Sequence, residues 1–208
     1  MTRPLKLGLT GPIGCGKSTI LGWLADRGAL VIDADVVARE VSAPGSPIAA
    51  RIVAAFGTAV AASDGSLDRA ALARIVFSDP VELRRLEAIT HPAVRERILE
   101  LLESAETGPH PIVVIEAIRL LEGGYPALLD EVWLVTCDPA DQRRRLAARG
   151  MSDGDASARI AAQAGLADRV GPAVARRIDT SGSLADSEAQ VAAALADALA
   201  ARSGPSAR

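Results

Sequence analysis

Gly11-Pro12-Ile13-Gly14-Cys15-Gly16-Lys17-Ser18 satisfies the spacing G-x-x-x-x-G-K-[ST], and each fixed position has a chemical reason. Glycines at 11, 14 and 16 let the backbone coil with its amides turned inward. Together with the positive end of the helix that follows, those amides form a cradle for phosphate oxygens. Pro12, Ile13, Cys15 and Thr19 complete the lining. Lys17 can reach β- and γ-phosphates, and the Ser18 hydroxyl can ligate Mg²⁺. The flanks agree: Leu5, Leu7 and Leu9 alternate with Lys6, Gly8 and Thr10 as in a short strand, and Ile20, Leu21, Trp23 and Leu24 open a helical pattern. A chance glycine-rich turn would carry neither flank. The chemistry specified is a site for a nucleoside triphosphate, ATP or GTP, with Mg²⁺.

Two further groups of residues could act on such a ligand. Asp33 and Asp35 close the apolar run Ala29 to Ile32, where α/β sheets place ligand-facing groups, and Arg39 follows on the next helical pattern. One of the two carboxylates suffices to cap that helix, which leaves the other for chemistry. Later, Arg143, Arg144, Arg145 and Arg149 lie on one predicted helix, with Arg145 and Arg149 on a shared face. Guanidinium groups so placed suit a lid that closes over a moving phosphoryl group; the alternative is a solvated helix face.

The elements that must position these residues follow in order. Strands are predicted at 5–10, 29–32, 112–115, 132–135 and 173–179. Helices are predicted over 17–27, 36–41, 48–56, 68–77, from Pro80 behind an Asp79 cap, from His91-Pro92 to about Ala105, from Asp138-Pro139, from Ser152 to Ala164, and over 184–201. The order is β-α-β, a helical insertion, then β-α-β-α-β-α. It specifies an α/β fold: a P-loop three-layer sandwich with a five-stranded parallel sheet. Residues 1–43 and 107–208 form the nucleotide-binding core, with a lid at about 143–165, and 44–106 form the insertion that would hold the acceptor.

Composition narrows the partners. With 2% aromatic residues, a net charge of −3 and no basic block, the chain of 208 residues has neither a stacking platform nor a phosphate-backbone stripe, so nucleic acid is excluded. No apolar run reaches membrane-span length. Met1 leads almost directly into the first strand, leaving no room for a signal peptide, and the expected setting is the cytoplasm. Cys15 and Cys137 are far apart in sequence and are expected to be reduced thiols. Cys15, close to a helix N-terminus, should have a lowered pKa, so that alkylating or oxidising it inhibits. A GTP switch would need a guanine-reading Asn-Lys-x-Asp, which is absent. A motor ATPase would have a strand ending in Asp and a longer chain, whereas Ile112 to Ile115 ends in Glu116. A small-molecule kinase remains.

The chain resembles the dephospho-coenzyme A kinase family. The resemblance rests on TGPIGCGKST, Val31-Ile-Asp-Ala-Asp35 with Arg39, Pro44-Gly45, Asp64-Gly65 with Leu67 and Leu72, and His91-Pro92. Downstream it continues through Asp138-Pro139 with Gln142 and Arg145, Arg159 with Gln163, and Ile178-Asp179 with Ser181-Gly182-Ser183. It runs from about residue 5 to 200. It implies transfer of the ATP γ-phosphoryl group to the ribose 3′-hydroxyl of dephospho-CoA, with Mg²⁺, by a monomer or weak oligomer. By position, Asp35 would be the base or orienting group for that hydroxyl and Asp33 its neighbour, with the assignment between them open. Arg39 would lie near the acceptor. Arg145 and Arg149 would reach the ATP phosphates, and Ser181 to Ser183, including Gly182, would border the adenine. His91 would stand on the acceptor side, structural at a helix entry rather than catalytic. Two departures are visible: where many members have Val-Pro-Leu-Leu before the acid at Glu122, this chain has Ala117-Ile-Arg119-Leu-Leu121; and Val174 to Ile178 lacks an acidic residue, so Arg176 or Arg177 could cover the ATP site instead. Another P-loop kinase, of nucleosides or nucleoside monophosphates, would share the loop, the Asp and the arginines.

Overall fold

The structure is a computed structural model that describes residues 3–118, 120 and 124–203. Arg119, Leu121 and Glu122, which carry the first departure, lie outside the described residues. Five strands, β1 (Leu5–Thr10), β2 (Ala29–Asp33), β3 (Ile112–Glu116), β4 (Glu131–Thr136) and β5 (Arg176–Asp179), form one sheet in the order β2-β3-β1-β4-β5. β1 lies between β3 and β4, parallel to both, and β4 is parallel to β5. Parallel pairing requires crossovers, and the helices supply them. β3 is buried at every position, which its uninterrupted Ile-Val-Val-Ile run anticipates.

Two compact units divide the chain: residues 1–31 with 105–208, and residues 32–104. The core of the first is built on alternation in β1. Leu5, Leu7 and Leu9 meet Ile20 and Leu24 of α1 (Lys17–Asp26), Trp133 and Val135 of β4, and Val191, Leu195 and Ala198 of α9 (Leu184–Ser203). Gly8 points the other way, and a Cβ there would stand 2.5 Å from Leu120 Cδ2. The second unit holds α2 (Ala34–Val41), α3 (Pro47–Phe56), α4 (Arg69–Ser78) and α5 (Pro80–Glu106). It has its own core of Ala49, Ile52, Val60, Leu67, Leu72 and Val76, with Leu83, Leu86 and Ile89 packed on it. α2, read in the sequence with the nucleotide core, groups with this unit. The remaining helices of the first unit are α6 (Pro139–Ala148), α7 (Asp153–Ala162) and α8 (Leu166–Val170).

Several expectations are corrected. The helices placed on either side of His91-Pro92 are one helix of 27 residues with Pro92 inside it. Proline removes one backbone bond and crowds the preceding turn at a cost of about 3 kcal/mol. Apolar residues nevertheless recur at helical spacing on both sides, from Leu83 and Leu86 to Val94, Ile98 and Leu102, and the continuous buried face outweighs the break. His91 is therefore an exposed mid-helix residue and not a helix entry. α8, unread in the sequence, is a five-residue turn of helix behind a left-handed Gly165, too short to show a period.

The last strand is four residues, not seven, because Gly171–Ala173 with its proline turns as a 3₁₀ helix. Arg176 stands at the start of that strand, away from the end where a ligand would bind, and does not cover the ATP site. It holds Glu131 through two bonds of 2.7 and 3.0 Å, and Glu131 also accepts the Trp133 indole N–H at 2.7 Å. Burial pushes the Glu131 carboxyl up, but these donors outweigh it and hold it below the usual carboxylate range. A depressed folded pKa contributes stability that is present above the unfolded pKa and lost as pH falls through the folded one. Glu131→Gln is therefore expected to be less stable than the parent at neutral pH, and the two melting temperatures should converge as pH drops below 4, read by thermal denaturation across pH. A gap that stays constant with pH would exclude this linkage.

Candidate active site

The loop between β1 and α1 takes its shape from glycines where sequence reasoning put them. Gly11 has φ +154°, and a Cβ on it would sit 2.3 Å from the Val135 carbonyl oxygen of β4. Gly14 is left-handed (φ +81°) and leans on α6, where a Cβ would meet Leu146 Cγ at 3.1 Å. α1 then starts behind a left-handed Gly16 with no side-chain cap. The first amides of a helix lack partners inside it and favour an anion there, although the Thr19 amide already reaches the Gly16 carbonyl at 3.0 Å. Ser18 and Thr19 are exposed on that first turn. Lys17 arches back over the loop, where its Nζ donates to the Gly11 carbonyl at 2.8 Å and to that of Pro12 at 3.4 Å and lies 3.6 Å from Glu116 Oε1 at the end of β3. The strand-end acid that a motor ATPase would show as Asp is thus represented by a glutamate beside the lysine.

The arginine helix contributes unequally. Arg145 is half-buried beside the loop. Its Nη1 donates to Thr180 Oγ1 at 2.9 Å and its Nη2 to the Thr180 carbonyl at 2.5 Å. The buried Thr180 hydroxyl is also 2.9 Å from the Cys15 carbonyl and 3.1 Å from that of Thr136, so one side chain ties Arg145, the loop and β4 together. Thr180 is in none of the residue groups singled out from the sequence. Its signal, a hydroxyl directly after an aspartate that ends a strand, is too common to single it out. Arg149 caps the C-terminus of α6 and is exposed, and Arg143 and Arg144 face solvent, the latter paired with Asp141 at 2.6 Å.

Asp138 occupies the N-cap position of α6 without a side-chain bond; instead its N–H donates to Ser181 Oγ at 2.8 Å. Ser181 Oγ in turn donates to Asp179 Oδ1 at 2.6 Å, and Ser181 N–H also binds Asp179, which together hold the Asp179 carboxyl below its ordinary range. Ser183 and Asp186 cap the start of α9 reciprocally, directly after Gly182.

The cysteines overturn the expectation of two free thiols. Cys15 and Cys137 form a disulfide, with Cα atoms 5.2 Å apart. Separation along the chain was misleading because β1 and β4 are neighbours in the sheet: the loop leaving β1 folds across the end of β4 and brings Cys15 onto Cys137. A bonded, buried Cys15 has no thiolate to react. Iodoacetamide is therefore expected to label Cys15 only after reduction, with loss of activity following the label; peptide mapping with and without dithiothreitol checks this, and labelling of the untreated protein would exclude it.

On the second unit, Asp33 is the cap. Its Oδ1 accepts from the amides of Asp35 at 2.8 Å and Val36 at 3.1 Å. Asp35 is exposed in the first turn of α2, and Arg39 is exposed one turn later on the same face. Of the two acids, Asp35 is the one without a capping role.

A family model described as dephospho-CoA kinase matches residues 5–186. The chain belongs to the dephospho-CoA kinase family. A dephospho-CoA kinase of Symbiobacterium thermophilum is 48% identical over 189 residues, covering 90% of this chain and 79% of that protein. Among solved structures, TT1252 from Thermus thermophilus superposes with a TM-score of 0.77 at 36% identity, covering 94% of this chain and 98% of that one. A dephospho-CoA kinase from Campylobacter jejuni, 23% identical, shares the fold with a TM-score of 0.69 over 92% of this chain and 96% of its own. Membership of the dephospho-CoA kinase family makes the chain a kinase enzyme with a P-loop α/β fold. Among the described residues, no helix is long and apolar enough to cross a membrane.

Proposed function

We propose that the chain transfers the γ-phosphoryl group of ATP to the ribose 3′-hydroxyl of dephospho-CoA, giving coenzyme A and ADP in the last step of coenzyme A synthesis. The observation that carries this reading is the family match from residue 5 to 186 on a chain whose β1–α1 loop has the geometry of a phosphate cradle. Gly11 to Thr19 would wrap the triphosphate, with Lys17 neutralising the transferring group. Arg145 and Arg149 would meet the phosphates from α6, and Ser181 and Gly182 would border the adenine. Asp35 would orient the acceptor hydroxyl, with Asp33, Arg39 and His91 on the acceptor's unit.

The donor set suits Mg²⁺ held mainly through the nucleotide. Ser18 offers one exposed hydroxyl at the start of α1, and among the described residues no cluster of three or more acids, histidines or cysteines forms a dedicated metal cage. Bound there, the ion would supply charge neutralisation at the phosphates. The reading keeps a monomer or weak oligomer, working in the cytoplasm.

The test is purified protein with Mg-ATP and a panel of dephospho-CoA, AMP, CMP and uridine. Phosphate is expected on dephospho-CoA alone. Phosphorylation of a nucleoside or nucleoside monophosphate instead would transfer the assignment to that class of P-loop kinase, and hydrolysis without acceptor preference would remove it from both.

A further inference from the structure

The first half of the phosphate loop is held by side chains remote in sequence. The Ile13 N–H donates to Gln163 Oε1 at 2.7 Å, and the Ile13 carbonyl accepts from Gln142 Nε2 at 2.7 Å. A backbone N–H can only donate and a carbonyl can only accept, so the two glutamine amides have opposite, defined orientations. Gln142 is buried on α6, and its Cγ and carbonyl oxygen lie 3.3 and 3.2 Å from where a Cβ on Gly14 would stand. Gln163 is the C-cap of α7. α6 and the C-cap of α7 therefore each give one amide to the same loop residue.

We propose that Gln142 and Gln163 are positioning residues for ATP binding, fixing the Ile13 backbone so that the amides from Gly14 onward point into the phosphate site. This rests on the reading of the loop as the ATP site. Neither glutamine touches the transferring phosphoryl group in this assignment; each acts through Ile13. A loop released from one amide samples other peptide orientations, and the apparent affinity for its ligand falls by the fraction that stays competent. Loss of a hydrogen bond of this kind corresponds to about a five- to tenfold change. The effect belongs to nucleotide binding and not to the reacting groups, and because both amides hold one residue, their losses should not multiply.

The test uses Gln142→Met, Gln163→Met and the double variant, which keep side-chain length while removing the amide. Read-outs are the Kd for Mg-ATP, KM for ATP, KM for dephospho-CoA, kcat and melting temperature. The expected result is a Kd and KM for ATP raised five- to tenfold in each single variant, with kcat and the acceptor KM within about twofold. The double variant should be less impaired than the product of the singles. Gln142→Glu, which sets a carboxylate against the Ile13 carbonyl, should bind ATP more weakly than Gln142→Met. The inference is overturned if parent and single variants bind Mg-ATP equally, if kcat falls while KM for ATP holds, or if the losses multiply. A parent protein that shows no Mg-ATP binding would overturn the ATP-site reading, and this inference with it.

Discussion

Lys17→Ala is expected to lower kcat by about a thousandfold, as removal of a charge-stabilising donor from a phosphoryl- or acyl-transfer site does. The lysine is only 13% exposed and already held in place, with its ammonium on the Gly11 carbonyl and close to Glu116. Preorganisation of that kind is what makes a cation effective on a transition state, since it does not have to be reoriented during the reaction. Two effects of the substitution must be separated. Removing the ammonium deprives the moving phosphoryl group of its counter-charge, and it also takes one cation away from the Glu116 carboxylate beside a polyanion. Lys17→Ala with Glu116→Gln distinguishes them: the double variant should regain ATP affinity while kcat remains low. The check is steady-state kinetics with Mg-ATP and dephospho-CoA, with circular dichroism confirming the fold. Activity within tenfold of the parent would remove Lys17 from the catalytic set.

Legibility differed sharply between local and distant interactions. The loop, the strand before it and the helix after it were readable because glycine spacing and alternation of Leu5, Leu7 and Leu9 are local signals. β3 and β4 were readable from uninterrupted apolar runs, and Asp79, read as a helix cap, accepts the Val81 amide in the structure. What failed depends on packing between segments far apart in the chain. Pro92 looked like a boundary because the sequence shows the local cost of proline, not the buried face of α5 that outweighs it. Cys137 looked unrelated to Cys15 because strand order is not written in sequence order. Thr180, Gln142 and Gln163 support the loop from 129 to 165 residues away, and their residue types alone assign them nothing. Arg145 was visible as a candidate, but its placement on Thr180 was not.

Asp35→Asn is expected to leave the Kd for Mg-ATP within about twofold while kcat falls by a hundredfold or more, the range that a positioned general base contributes. The structure separates the two acids of β2 and α2 by what they bond. Asp33 spends Oδ1 on the amides of Asp35 and Val36, so Asp33→Asn should mainly weaken the start of α2, and it retains a carbonyl oxygen for the cap. Asp35 makes no such contribution to the helix start, and its exposed carboxylate leaves it open to an incoming hydroxyl. The amide at position 35 keeps shape and polarity but cannot take a proton, so a base is lost without loss of packing. A merely orienting role would retain part of the turnover, because the amide oxygen still accepts a hydrogen bond; a base role would not. If Asp35→Asn keeps most of its turnover and Asp33→Asn does not, the roles are reversed and the capping aspartate is the one that meets the acceptor.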